Sequence, residues 1–178
     1  MTRVAVVGLG NVLVGDDAFG PYVVRQFDAR YDAGPDVEVA DLGTPGLDLA
    51  PHIEGRTALI VVDTVSADGA PGVVKRYRKD DLLARPAPPR TNPHQPGVKE
   101  TLLRLEVDDA APADVLLVGV VPEATETGVG LSDAVRGATE EALAAIVAEL
   151  ERLGHPVAPR DPPARPDIWW ERGRAGAS

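Results

Sequence analysis

The chain has 178 residues, of which 18 are basic and 28 acidic, for a formal net charge of -10. That length suits one domain with a sizeable core, and the negative balance repels phosphate backbones and anionic lipid heads, so neither nucleic acid nor a membrane is expected as a partner. No cysteine is present, which excludes disulfides, thiolate zinc sites and thiol nucleophiles and leaves any metal to oxygen and imidazole ligands.

In chain order, VAVVG (4–8), VEVAD (37–41), ALIVVD (58–63) and VLLVGVV (115–121) are short Val-rich runs bounded by Gly, Asp or Pro. Continuous apolar runs of this kind predict parallel strands covered on both faces, whereas the alternating GVVKRYR (72–78) predicts a half-exposed edge strand. Between the first two runs, Pro21 opens a helix that places Val23, Val24, Phe27 and Tyr31 on one face. Shorter helices are expected at 46–55 and 98–107. The longest helix is predicted from an N-cap at Ser132, through the stripe Leu143, Ile146, Val147 and Leu150, to a stop at Gly154 and Pro156. These elements make an α/β fold, a three-layer α/β/α sandwich around a mixed, mostly parallel sheet. The start MTRVAVVGLG enters a strand directly and no apolar run has spanning length, so a cytoplasmic protein is expected. The domain is expected to occupy residues 1–155. Residues 85–97 hold five prolines and predict a stiff irregular loop, and the Pro/Arg-rich tail 156–178 is expected to be disordered.

Ligands of open α/β sheets gather beyond the carboxyl ends of the strands. Asp16 and Asp17 follow the first strand in GLGNVLVGDDAFG (8–20), Asp63 ends the third run, and the proline-rich loop carries His94 toward the same edge. Two carboxylates and an imidazole suit a divalent first-row metal, and two carboxylates held together also suit acid–base work through a shared proton. Residue by residue, plainer roles compete: an Asp before a helix is a cap, an Asp ending a strand starts a turn, and a His among prolines is a surface residue. Glycines 8, 10, 15 and 20 allow a tight loop, with Asn11 bracing it through its amide. A dinucleotide fingerprint fails because Leu13 stands where a third glycine is needed. A phosphoacceptor receiver domain, with acids after its first strand and an Asp ending its third, is a competing signalling reading, but here LGNVLVG separates strand and acids.

Together GLGNVLVGDDAFG, LGTPG (42–46), VVDTV (61–65), NPHQPG (92–97) and LLVGVVPE (116–123) resemble, in order and spacing, the endopeptidases that mature [NiFe] hydrogenase large subunits, over residues 3–155. The resemblance implies a phosphorylase/hydrolase-like fold with a five-stranded sheet containing one antiparallel strand. It also implies an aspartic-type peptidase whose catalytic and nickel-site residues are Asp17, Asp63 and His94. Asp16, Asn11, Gly8, Gly10, Gly43 and Thr44 become supporting residues. Family members often carry Glu where this chain has Asp17, so its carboxylate sits one methylene nearer the backbone. The implied partner is the nickel-loaded precursor of a [NiFe] hydrogenase large subunit, met by a monomer. The implied reaction removes the precursor's C-terminal extension, and the nickel is sensed in the substrate and need not be a permanent cofactor. A nickel-binding chaperone of the same fold without peptidase activity, and a peptidase of this fold acting on another substrate, are the alternatives beside the receiver.

Overall fold

The computed structural model describes residues 3–44, 49–84 and 97–173. Its elements, in chain order, are β1 (Val4–Leu9), α1 (Phe19–Arg30), β2 (Tyr31–Asp32), β3 (Val37–Gly43), α2 (Ala50–Ile53), β4 (Ala58–Thr64), β5 (Val74–Arg78), α3 (Lys79–Ala84), α4 (Val98–Val107), β6 (Asp114–Val120), α5 (Asp133–Gly137), α6 (Thr139–Arg152) and β7 (Ala158–Pro159). Among the described residues, five strands form a sheet in the order β3-β1-β4-β6-β5. Only β5 runs antiparallel, on the edge beside β6. The mixed, mostly parallel sheet is the one the Val-rich runs and the alternating GVVKRYR segment predict.

Strand alternation divides the core into two layers. Val4, Val6, Ile60, Val62, Leu116 and Val118 pack against Phe27 of α1, Val135 of α5 and Ile146 and Leu150 of α6. The intervening Ala5, Val7, Leu59, Val61 and Leu117 pack against Ile53 of α2, Leu82 of α3 and Leu102 and Leu105 of α4. Each Val, Leu, Ile or Phe side chain fully removed from water contributes about 1.5–3 kcal/mol, so both faces of the sheet are firmly covered. The chain moves from β1 to β3 on one side and then crosses to β4 on the other. The order therefore switches between β1 and β4, and a crevice opens at their carboxyl ends.

Several local expectations change. Tyr31 leaves the helix in extended backbone (φ -130°, ψ 150°) and begins β2, yet its ring still packs on Phe27 at 5.2 Å between centroids. The predicted long C-terminal helix is two helices separated at Ala138, where the Thr139 hydroxyl donates to the Arg136 carbonyl at 2.7 Å at the end of α5. Within the expected helix 46–55 the described part is α-helical over Ala50–Ile53.

Residues 156–173 run over the surface of the domain, mostly exposed, and are tied to it at a few points. β7 pairs antiparallel with β2, the Arg160 amide donates to the Arg30 carbonyl at 2.7 Å, and the Ala164 amide donates to the Ala29 carbonyl at 2.8 Å. Trp170 is buried in the α1-side layer, with the Arg25 guanidinium 5.6 Å from its ring centroid. Beside it, Glu171 accepts from Arg136 at 2.7 Å. The strap is held because α1 and α5 supply the apolar surface and the charges that its own composition lacks.

Candidate active site

The crevice is built by strands of unequal reach. β1 pairs with β4 only as far as Gly8 opposite Val62, whereas β4 stays paired with β6 up to Thr64 opposite Val120. Asp63 and Thr64 therefore extend beyond β1, and the chain leaving β1 folds back beside them. Close backbone contact makes this possible. A Cβ on Gly8 would lie 2.4 Å from the Gly20 carbonyl oxygen, so two glycines face each other where α1 begins. Gly10 has a φ of 139°, and a Cβ there would lie 1.8 Å from the Asp17 carbonyl oxygen, so both the turn and the space demand glycine. The Gly10 amide donates to the Gly43 carbonyl at 2.8 Å, which ties the loop to the end of β3.

Asp17 is held at both carboxylate oxygens. The Asn11 amide donates to Oδ2 at 2.7 Å, and the Thr64 hydroxyl donates to Oδ1 at 3.2 Å. Asn11 itself is fixed, since its side-chain carbonyl accepts from the Leu13 amide at 2.9 Å. Asp63, half-buried, accepts the Thr64 amide on Oδ1 at 2.7 Å. Burial pushes the Asp63 carboxyl up, the nearby Asp17 charge adds to the effect, and the Thr64 amide offsets part of it, leaving a pKa of about 8. Such a carboxyl carries a proton at neutral pH or gives it up to an arriving cation. A carboxyl of this kind can serve proton transfer or receive a cation.

Asp16 does different work. It is fully buried, and its carboxylate accepts from the amides of Glu123 (2.8 Å), Ala124 (2.9 Å) and Ser132 (2.7 Å) and from the Ser132 hydroxyl (3.0 Å). Burial alone would raise its pKa, but these donors outweigh it and hold the carboxyl below its ordinary value. Ser132 also caps α5 by accepting from the Val135 amide. Asp16 thus locks the acidic loop to the segment between β6 and α5, with backbone bonds from Gly15 to Gly128 and from Gly128 to Leu13, both at 2.9 Å, alongside it.

Of the residues singled out in the sequence, Asp17 and Asp63 meet at the crevice, framed by Gly8, Gly10, Asn11 and Gly43. Thr44 is exposed just beyond β3. His94 lies outside the described residues, as does most of the 85–97 segment. Among the described residues, no group of three or more His, Cys, Asp or Glu is placed to hold a metal ion. Sequence reasoning missed Thr64, whose signal was only its position directly after the strand-ending Asp63. It also assigned Ser132 to capping alone, because the bond to Asp16 crosses more than a hundred residues.

A sequence model for the hydrogenase maturation protease family matches residues 21–149. The hydrogenase 2 maturation protease of Escherichia coli is 34% identical over 160 residues, covering 89% of this chain and 97% of that protein. The hydrogenase expression/formation protein HupM of Azotobacter chroococcum is 35% identical, covering 89% of this chain and 77% of that one. Among solved structures, the hydrogenase maturating endopeptidase HybD of E. coli superposes with a TM-score of 0.82 at 33% identity, over 90% of this chain and 99% of that one. A hydrogenase 2 maturation peptidase from a Thaumarchaeota archaeon superposes at 0.64 with 31% identity, over 86% and 99% of the two chains.

Proposed function

This chain belongs to the hydrogenase maturation protease family and is a peptidase, and from that premise we propose that it removes the C-terminal extension of a [NiFe] hydrogenase large-subunit precursor once nickel has been inserted. The observation that carries the reading is the pairing of Asp17 and Asp63 at the switch point of the sheet, where a rigid loop and a strand end present two carboxylates to an incoming protein. Two carboxylates and the imidazole of His94, which lies outside the described residues, are oxygen and nitrogen donors of the kind that suit a nickel ion arriving as part of the substrate. Cleavage is thereby coupled to metal loading. Without thiolates the set holds free metal only modestly, which fits a sensor better than a permanent store.

The chemistry asked of the protein is hydrolysis of one peptide bond. One carboxylate takes a proton from water as the oxygen attacks the scissile carbonyl, and the departing amine leaves protonated. We assign the role of base to Asp17, and its anchoring at both oxygens supports the reading. Recognition of substrate nickel holds the scissile carbonyl beside it.

The test is intact mass spectrometry of a large-subunit precursor, nickel-loaded and nickel-free, after incubation with the protein and with its Asp17→Asn and His94→Ala variants. Release of a C-terminal peptide only from the nickel-loaded form, and only by the unmodified protein, is expected. Equal cleavage of both precursors would sink nickel sensing. A normal rate with Asp17→Asn would remove its role as base.

A further inference from the structure

We infer that Thr64 is a positioning residue that sets the placement of Asp17 against Asp63, a role that rests on the proposed peptidase site. Among the described residues, Thr64 is the one bonded to both acids. Its hydroxyl donates to Asp17 Oδ1 at 3.2 Å, and its amide donates to Asp63 Oδ1 at 2.7 Å.

The placement follows from the sheet. The Thr64 backbone is fixed by the ladder to β6, which continues through Thr64 opposite Val120 and is followed by the Val65 amide donating to the Val120 carbonyl at 2.9 Å. Asp17, by contrast, sits in a 3-10 turn (Gly15–Ala18) on the segment that returns from β1 after its pairing with β4 has ended at Val62. The Asn11 amide holds only the other Asp17 oxygen and comes from the same segment, so it gives the carboxylate no reference to β4. The Thr64 hydroxyl is therefore the direct bond that refers the Asp17 carboxylate to the rigid strand carrying Asp63.

An Asp side chain with no donor on the neighbouring strand turns about its own χ1 and χ2 relative to that strand. A hydroxyl donor on the strand opposes the rotation and leaves Asp63 Oδ2 and the second lone pairs of Asp17 for the substrate. The β-branched carbon narrows the choice of χ1, which keeps the hydroxyl aimed. Valine has almost the same shape and no donor, so it isolates the hydroxyl.

The experiment compares Thr64→Val, Thr64→Ala and Thr64→Ser with the unmodified protein in two ways. One is kcat and KM for cleavage of the nickel-loaded precursor. The other is the carboxyl carbon NMR resonance of Asp17 in the free protein, assigned with Asp17→Asn. Loss of a hydrogen bond to a charged group predicts a fall in kcat of about tenfold or more for Val and Ala, with KM within about twofold. Serine is expected to restore kcat to within about threefold, and the Asp17 resonance is expected to move in Val and Ala but not in Ser. A merely structural role would leave Ser no better than Ala, and that result overturns the inference. So does an unmoved resonance in Thr64→Val and Thr64→Ala. If the unmodified protein cleaves nothing, the peptidase reading of the substrate fails, while the resonance still decides whether Thr64 places Asp17.

Discussion

Asp16 and Asp17 are adjacent in the chain and chemically identical, yet one is fully buried in hydrogen bonds and the other opens on the crevice. The difference makes their substitutions separable. Asp16→Ala leaves the amides of Glu123, Ala124 and Ser132 without their acceptor, at a cost of about 3 kcal/mol or more, and urea unfolding is expected to show it. Asp17→Asn is expected to stay within about 1 kcal/mol of the unmodified protein in the same assay, since an amide still offers an acceptor to Asn11, while cleavage is lost. The pair was visible in the sequence because acids after a buried strand are conspicuous. Their division of labour was not, because the donors that claim Asp16 come from residues 123–132.

At the level of elements, the strap over α1 shows what composition leaves out. A segment rich in Pro, Arg and Gly has little apolar surface of its own, and the argument from composition takes no account of surface supplied by others. Arg25 of α1 pairs with Asp41 of β3 at 2.8 Å and with Asp167 of the strap at 3.2 Å, while its guanidinium covers Trp170. Trp170→Ala removes a large, 6%-exposed ring and is expected to lower stability by about 3 kcal/mol, read as a fall in melting temperature. Among the described residues the strap is bonded to α1, β2 and α5 and to neither acid, so the same variant is expected to cleave at the unmodified rate at temperatures where it is folded. The predicted α1 was legible because its apolar spacing is strong and Pro21 marks its first turn. The break at Ala138 was not, because the 3.6-residue stripe runs on past it.

Across the molecule, Glu149 on α6 joins elements that lie far apart in sequence. It accepts from Arg78 of β5 at 2.5 and 2.9 Å and from Arg152 at 2.8 and 3.1 Å, and Arg152 reaches Asp114 of β6 at 2.6 Å. Burial pushes the Glu149 carboxyl up, but hydrogen bonds from Arg152 and Arg78 more than offset it and hold the pKa at about 2, against an ordinary 4.5. A carboxyl depressed in the folded state stabilises fully above its unfolded value and loses that contribution as pH falls. The window is therefore from about pH 4.5 down to about 2, and the linked stabilisation is of the order of 3 kcal/mol. Denaturation followed between pH 6 and 2 is expected to show this loss, and Glu149→Gln is expected to flatten it while lowering stability at neutral pH.

The sequence alone determined the layered α/β architecture, the antiparallel edge and the carriers of charge at the strand ends. Each of these is written in local patterns: Val-rich runs for buried strands, alternation for the edge, acids placed directly after strands. Tertiary structure decided that β1 and β4 are neighbours, that β4 reaches two residues further and that Asp17 fills the step. It also decided that Asp16 serves the loop before α5 and that the tail lies over α1. Those outcomes depend on which surfaces and donors meet across long chain separations, and such meetings are fixed by packing of the whole core.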